Sequence, residues 1–184
     1  MRKFSALAFV FMVSPAIGAT NPMFGAGDIN SLGLYVSQGV GPGNMIRMIY
    51  PPKWDFSPMT NILAQYSQPV EILRLPSRIN VSAVQNFGYS AHGGLTFSAV
   101  GLSWDIAFLS WRGFYIGAGA GPYMRNRADR YVGSRLVAGE KFFIGKNIGK
   151  DFRTEIYTLH FSNGDLAEPN RGFNFAGLAG IYSF

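Results

Sequence analysis

Eight stretches of this chain alternate in side-chain character with a period of two, and turn-forming residues bound each of them. That pattern admits few folds, because only an extended strand sends successive side chains to opposite faces. In TFSAVGLSWDIAF, Val100, Leu102, Trp104, Ile106 and Phe108 share one face, with Ser103 and Asp105 on the other. In INVSAVQNFGY, Ile79, Val81, Ala83 and Phe87 stand opposite Asn80, Ser82 and Asn86. SLGLYVSQGV aligns Leu32, Leu34 and Val36. NILAQYSQ, FYIGAGAGPYM, RLVAGEKFFIG, DFRTEIYTLHFS and GFNFAGLAGIYSF complete the set. NMIRMIY, between Gly41 and Pro58, reads as a further strand or as the upper part of a long one.

The start of the chain says where these strands belong. Arg2 and Lys3 precede the short apolar run FSALAFVFMV, and SPAIGAT supplies small residues for cleavage near Gly18 or Ala19. This is the layout of a secretory signal, and the run falls short of the roughly 20 residues that span a bilayer. Residues 1–19 are therefore expected to be a signal peptide and 20–184 a single domain. Removing Arg2 and Lys3, and no acid, lowers the net charge from +6 to +4. That mild excess suits an anionic surface, and an exported chain has no nucleic-acid partner. The chain has no cysteine, so no disulfide staples it. Aromatics reach 15% while charged residues are 14%, and glycines number 23. Exported, aromatic, glycine-rich and poor in charge, the chain points to an eight-stranded antiparallel transmembrane β-barrel of the outer-membrane type. A secreted β-sandwich is the alternative.

The connections and the carboxy-terminus fit the barrel. SWRG and GKNIGK are short, as periplasmic turns are, whereas YSAHGG, MRNRADRYVGS and NGDLAEPNRG are long, as extracellular loops are. Ala176, Leu178, Gly180, Tyr182 and Phe184 share one parity and end in an aromatic residue. This looks like the terminal strand signal read by the outer-membrane assembly machinery.

Parity also places the polar residues near the end. Arg153 and Glu155 belong in the barrel interior, because a lipid-facing charge at mid-membrane costs about 2–4 kcal/mol. Phe152, Ile156, His160 and Ser162 then face outward, and Asn174 shares the outward parity of Leu178, Tyr182 and Phe184. Polar groups on that wall are costly unless they serve something, or unless they sit above the hydrocarbon among headgroups. His160 can take the Ser162 proton as the hydroxyl attacks an ester carbonyl, and the Asn174 amide oxygen can hold the other ring nitrogen. Asn163, Asn170 and amides around Gly164 are candidate donors to the oxyanion. Arg125, Arg127, Arg130 and Arg135 crowd one loop, where they meet lipid phosphates or solvent. His92 is expected in an exposed loop, and Glu140 in an interior polar network. No zinc, phosphate-loop or nucleotide motif appears, so no cofactor is expected.

The string HFSNGDLAEPNRGFN resembles the lipid A 3-O-deacylases of the PagL type, through His160, Ser162, Asn163, Pro169, Asn170 and Gly172 at matching spacing. The specific match covers roughly the last 30 residues. The resemblance implies an outer-membrane hydrolase that removes an ester-linked acyl chain from lipid A, with lipopolysaccharide of the outer leaflet as its substrate. It also implies a Ser-His-Glu triad, in which Asn174 here occupies the acid's position. Asp165 and Glu168 are the other candidates for that charge. The rival to the enzyme is a catalytically weak or silent small outer-membrane barrel with a structural or adhesive role.

Overall fold

A computed structural model describes residues 29–73, 75–88 and 95–184. The proposed signal peptide and His92 lie outside the described residues. Eight antiparallel strands run in chain order: β1 (Ser31–Pro42), β2 (Ser57–Ile72), β3 (Leu75–Gly88), β4 (Phe97–Trp111), β5 (Phe114–Arg125), β6 (Leu136–Ile148), β7 (Phe152–Ser162) and β8 (Phe173–Ser183). Each pairs with its neighbours, and β1 pairs with β8, so the sheet closes into a barrel without edges. Each of the eight alternating segments falls on one of these strands.

Alternation decides what faces where. Outward residues such as Leu34 (56% exposed), Val100 (62%), Ile156 (64%) and Leu178 (62%) form a broad apolar surface. In water such a surface aggregates, whereas hydrocarbon is its natural solvent. The inward residues fill the barrel in two zones. Toward the end bearing the long loops, Phe97, Tyr123, Phe161 and Phe173 pack ring against ring. Below them lies a charged cluster. Arg78 Nε and Lys141 Nζ each reach Asp105 Oδ2 at 2.7 Å, and Arg78 Nη2 reaches Glu155 Oε1 at 2.9 Å. The Tyr35 and Tyr115 hydroxyls donate to Glu155 at 3.2 and 2.8 Å. Arg78 is the hinge of this network, because it touches both carboxylates. Replacing it with leucine leaves Glu155 buried without its salt-bridge partner, and such a break costs about 3–5 kcal/mol. Denaturant unfolding of the refolded barrel in detergent micelles is expected to show that loss.

The segment NMIRMIY is not a strand. Its centre is one helical turn, α1 (Met45–Met48), followed by a 3₁₀ turn at Pro51–Lys53. The reason is local. Gly41 and Gly43 take φ of +99° and +143°, which turn the chain off the sheet. Pro51 and Pro52 then have no N–H to give to a ladder. The segment instead folds back over the outer wall, with α1 resting against β7 and β8 and Met48 fully buried beneath it.

Candidate active site

The covered patch of wall is where His160 and Asn174 stand. Their backbones are directly opposite in the β7–β8 ladder. His160 Nδ1 lies 2.8 Å from Asn174 Oδ1. Both residues have the outward parity expected, yet His160 is only 4% exposed and Asn174 is fully buried. The cover explains this. Asn174 Nδ2 donates to the carbonyls of Gly41 and Gly43 at 3.1 and 3.2 Å, and the Gly43 N–H donates to Arg171 O at 2.9 Å. The outer-wall amide that lipid would leave unsatisfied is thus satisfied by the chain itself.

This network fixes a tautomer. Two carbonyls can be met only by the NH₂ end of the amide, so the oxygen of Asn174 must face the ring. Nδ1 therefore carries the proton and donates it. Nε2 is left with a lone pair, the form a general base needs. Gly172 completes the enclosure. It has φ +66°, and a Cβ there would lie 2.5 Å from His160 Cε1 and 2.8 Å from the Gly43 oxygen. Only glycine fits both the conformation and the space.

Ser162 shares the outer face of β7 with His160, two residues along. The strand rise separates their Cα atoms by about 6.5 Å. No hydrogen bond joins the two side chains among the described residues, and such contacts commonly tighten only when substrate binds. The loop that follows is organised by its asparagines. Asn163 accepts from the Asp165 N–H at 3.1 Å and donates to Ala167 O at 2.6 Å. Asn170 accepts from the Asn163 N–H at 3.0 Å and donates to Asp165 Oδ1 at 2.8 Å. Asp165 and Glu168 are exposed, and Asp165 serves the turn. Gly164 takes φ +59° with open space around it.

The arginines divide. Arg127, Arg130 and Arg135 are exposed on the loop after β5. Arg125, grouped with them as a lipid-phosphate ligand, is fully buried. Its guanidinium bonds Asp129 at 2.6 Å and the carbonyls of Val132 and Ser134 at 2.7 Å each, and it lies over the Phe97 ring. Position explains the correction: Arg125 has the inward parity of Tyr123, so it ties the loop down from inside. That loop in turn braces the one beside the site, through Arg171 N–H to Tyr131 O and Gly133 N–H to Pro169 O, both at 2.7 Å.

Glu140 is also placed differently from the sequence reading. Lys141 is the inward member of the pair, and Glu140 faces outward with Leu136, Ile144 and Ile148. Parity with those apolar residues was the available signal. Two further features had no sequence signal of their own. An apolar groove of about 370 Å³ runs down the wall below His160, between Ile116, Phe142, Ile144, Ile156 and the overhanging Ile49. A cleft of about 500 Å³ beside Gly43 is lined by Arg47 and Lys53.

Comparison with known proteins converges on one family. A family model described as Lipid A 3-O-deacylase (PagL) matches residues 60–182. Among solved structures, the chain resembles one described as "Crystal structure of the outer membrane enzyme PagL". The TM-score is 0.56 at 13% identity, over 82% of this chain and 97% of that one. No curated protein matches. The family match spans most of the chain, and the closed eight-stranded barrel agrees with it: this chain belongs to the PagL family of lipid A 3-O-deacylases.

Proposed function

We propose that this protein removes an ester-linked acyl chain from lipid A in the outer leaflet of the bacterial outer membrane. The observation that carries this reading is the His160–Asn174 pair, held in one tautomer beside an apolar groove on the lipid-facing wall. A substrate that diffuses laterally in the membrane meets such a site from the side. Its acyl chain lies in the groove beneath Ile49, and its phosphates meet Arg47 and Lys53 in the neighbouring cleft. Arg127 and Arg130 extend the basic rim.

The chemistry proceeds in two halves. Ser162 Oγ bonds to the ester carbonyl carbon while its proton passes to His160 Nε2. The carbonyl electron pair moves onto oxygen, where the Gly164 N–H and the unused amide hydrogens of Asn163 and Asn170 are the proposed donors. Collapse breaks the bond to the sugar oxygen, which takes the proton from His160. Water then attacks the acyl-serine with His160 again as base, releasing the fatty acid and restoring Ser162. Asn174 holds the ring throughout by accepting from Nδ1–H. On this reading residues 1–19 direct export, and the strand ending in Phe184 is read by the assembly machinery. A fluorophosphonate probe in detergent tests the nucleophile. Labelling of the wild type that is lost in Ser162→Ala supports the reading, and labelling that persists in the variant contradicts it.

A further inference from the structure

The lipid-facing wall carries one more polar group beside His160. Across the β6–β7 ladder, Glu140 is the direct partner of His160, as Asn174 is across β7–β8. The three residues form one row on the outer face. Directly opposed residues have Cβ atoms about 4.5–5.5 Å apart, within reach of a glutamate side chain. Glu140 is half-buried, and its Oε2 is buried without a hydrogen-bond partner among the described residues. A buried carboxylate oxygen without a partner on a lipid-facing strand is costly, so the residue calls for a reason.

The site supplies one. His160 becomes positively charged each time it takes the serine proton, and it does so out of water. Asn174 fixes the ring but carries no charge. Asp165 is engaged in its own turn, and Glu168 is exposed. On the deacylase reading above, we infer that Glu140 is the charge partner of His160, supplying from β6 the carboxylate that the β8 position lacks. Orientation and charge are then divided between two strands, with the neutral amide on one side of the imidazole and the carboxylate on the other. In this role Glu140 exchanges no proton, since the serine proton passes to His160 and on to the leaving oxygen. It acts through His160 and is a positioning residue.

Glu140→Gln keeps the shape and removes the charge. With purified lipid A in mixed micelles, kcat is expected to fall about 10- to 100-fold with KM within about twofold. Glu140→Asp is expected to retain more kcat than the glutamine variant. An unchanged kcat in Glu140→Gln, or a loss confined to KM, overturns the inference. Heat-modifiable migration on gels confirms that each variant is a closed barrel. A second arm does not depend on turnover. The chain has two histidines, so in a His92→Asn background His160 is the sole reporter for ¹⁵N-histidine spectra in micelles. Glu140→Gln is expected to move its ring-nitrogen resonances at fixed pH, and unmoved resonances overturn the inference. If the wild type hydrolyses nothing, the deacylase reading fails, while the spectra still decide whether Glu140 and His160 are coupled.

Discussion

Ser162→Ala is expected to lower lipid A deacylation by about 10⁴-fold or more while leaving the barrel closed. The size follows from the role: removing one member of a nucleophile–base pair costs about as much as removing the pair. His160→Ala should therefore match it, and the double variant should be no worse than either alone. Additive losses would mean that the two residues do not act as a unit. The fold should survive because Ser162 ends β7 on the outer face and belongs to neither the inner aromatic layer nor the charged cluster. Steady-state rates on lipid A micelles, with gel migration as the folding control, read both quantities.

Asn174 gives the second large effect. Asn174→Ala removes the acceptor that holds Nδ1–H and the donor that holds the cover. Loss of tautomer control can cost about 10⁴ in rate, and about 10²–10⁴ is expected here. The aspartate variant is more informative, because it restores a charge where the triad pattern has one. In this structure the gain is opposed. The Asn174 NH₂ faces the Gly41 and Gly43 carbonyls at 3.1 and 3.2 Å, so an aspartate oxygen would face two acceptors. Losing these bonds in a buried place costs about 1–3 kcal/mol. Asn174→Asp should thus be less stable than the wild type and no faster. A tenfold faster Asn174→Asp enzyme would show that Asn174 is a weakened acid rather than a component fitted to its cover.

Much of this was legible in the sequence because barrel strands obey one simple rule. Alternation put Leu178 outward and Glu155 inward, and set the apolar faces of Leu34 and Val100 apart from the polar faces of Asn80 and Asp105. In the structure the apolar faces turn outward and the polar ones inward. The same rule aligned His160 with Asn174 on the outer wall. What parity does not carry is register between strands distant in sequence, or the path of a segment that has left the sheet. Glu140 was assigned to the interior although Leu136 and Ile144 marked its face as outward, and only register sets it opposite His160. The fold-back over residues 41–54 escaped for a different reason. NMIRMIY is apolar enough for a strand, and its course is decided by two positive-φ glycines and by contacts with β7 and β8. Arg125 escaped because a loop rich in arginine hides the one whose parity continues the strand into the barrel.

The central claim is that the outer wall of this barrel is an esterase site for lipid A. Mass spectrometry of lipid A from an outer membrane with and without the wild-type protein tests it most directly. The account predicts a new species lighter by one ester-linked acyl chain, absent when Ser162→Ala is expressed at the same level. Lipid A of unchanged mass, with the wild-type barrel folded and abundant in the membrane, would contradict it.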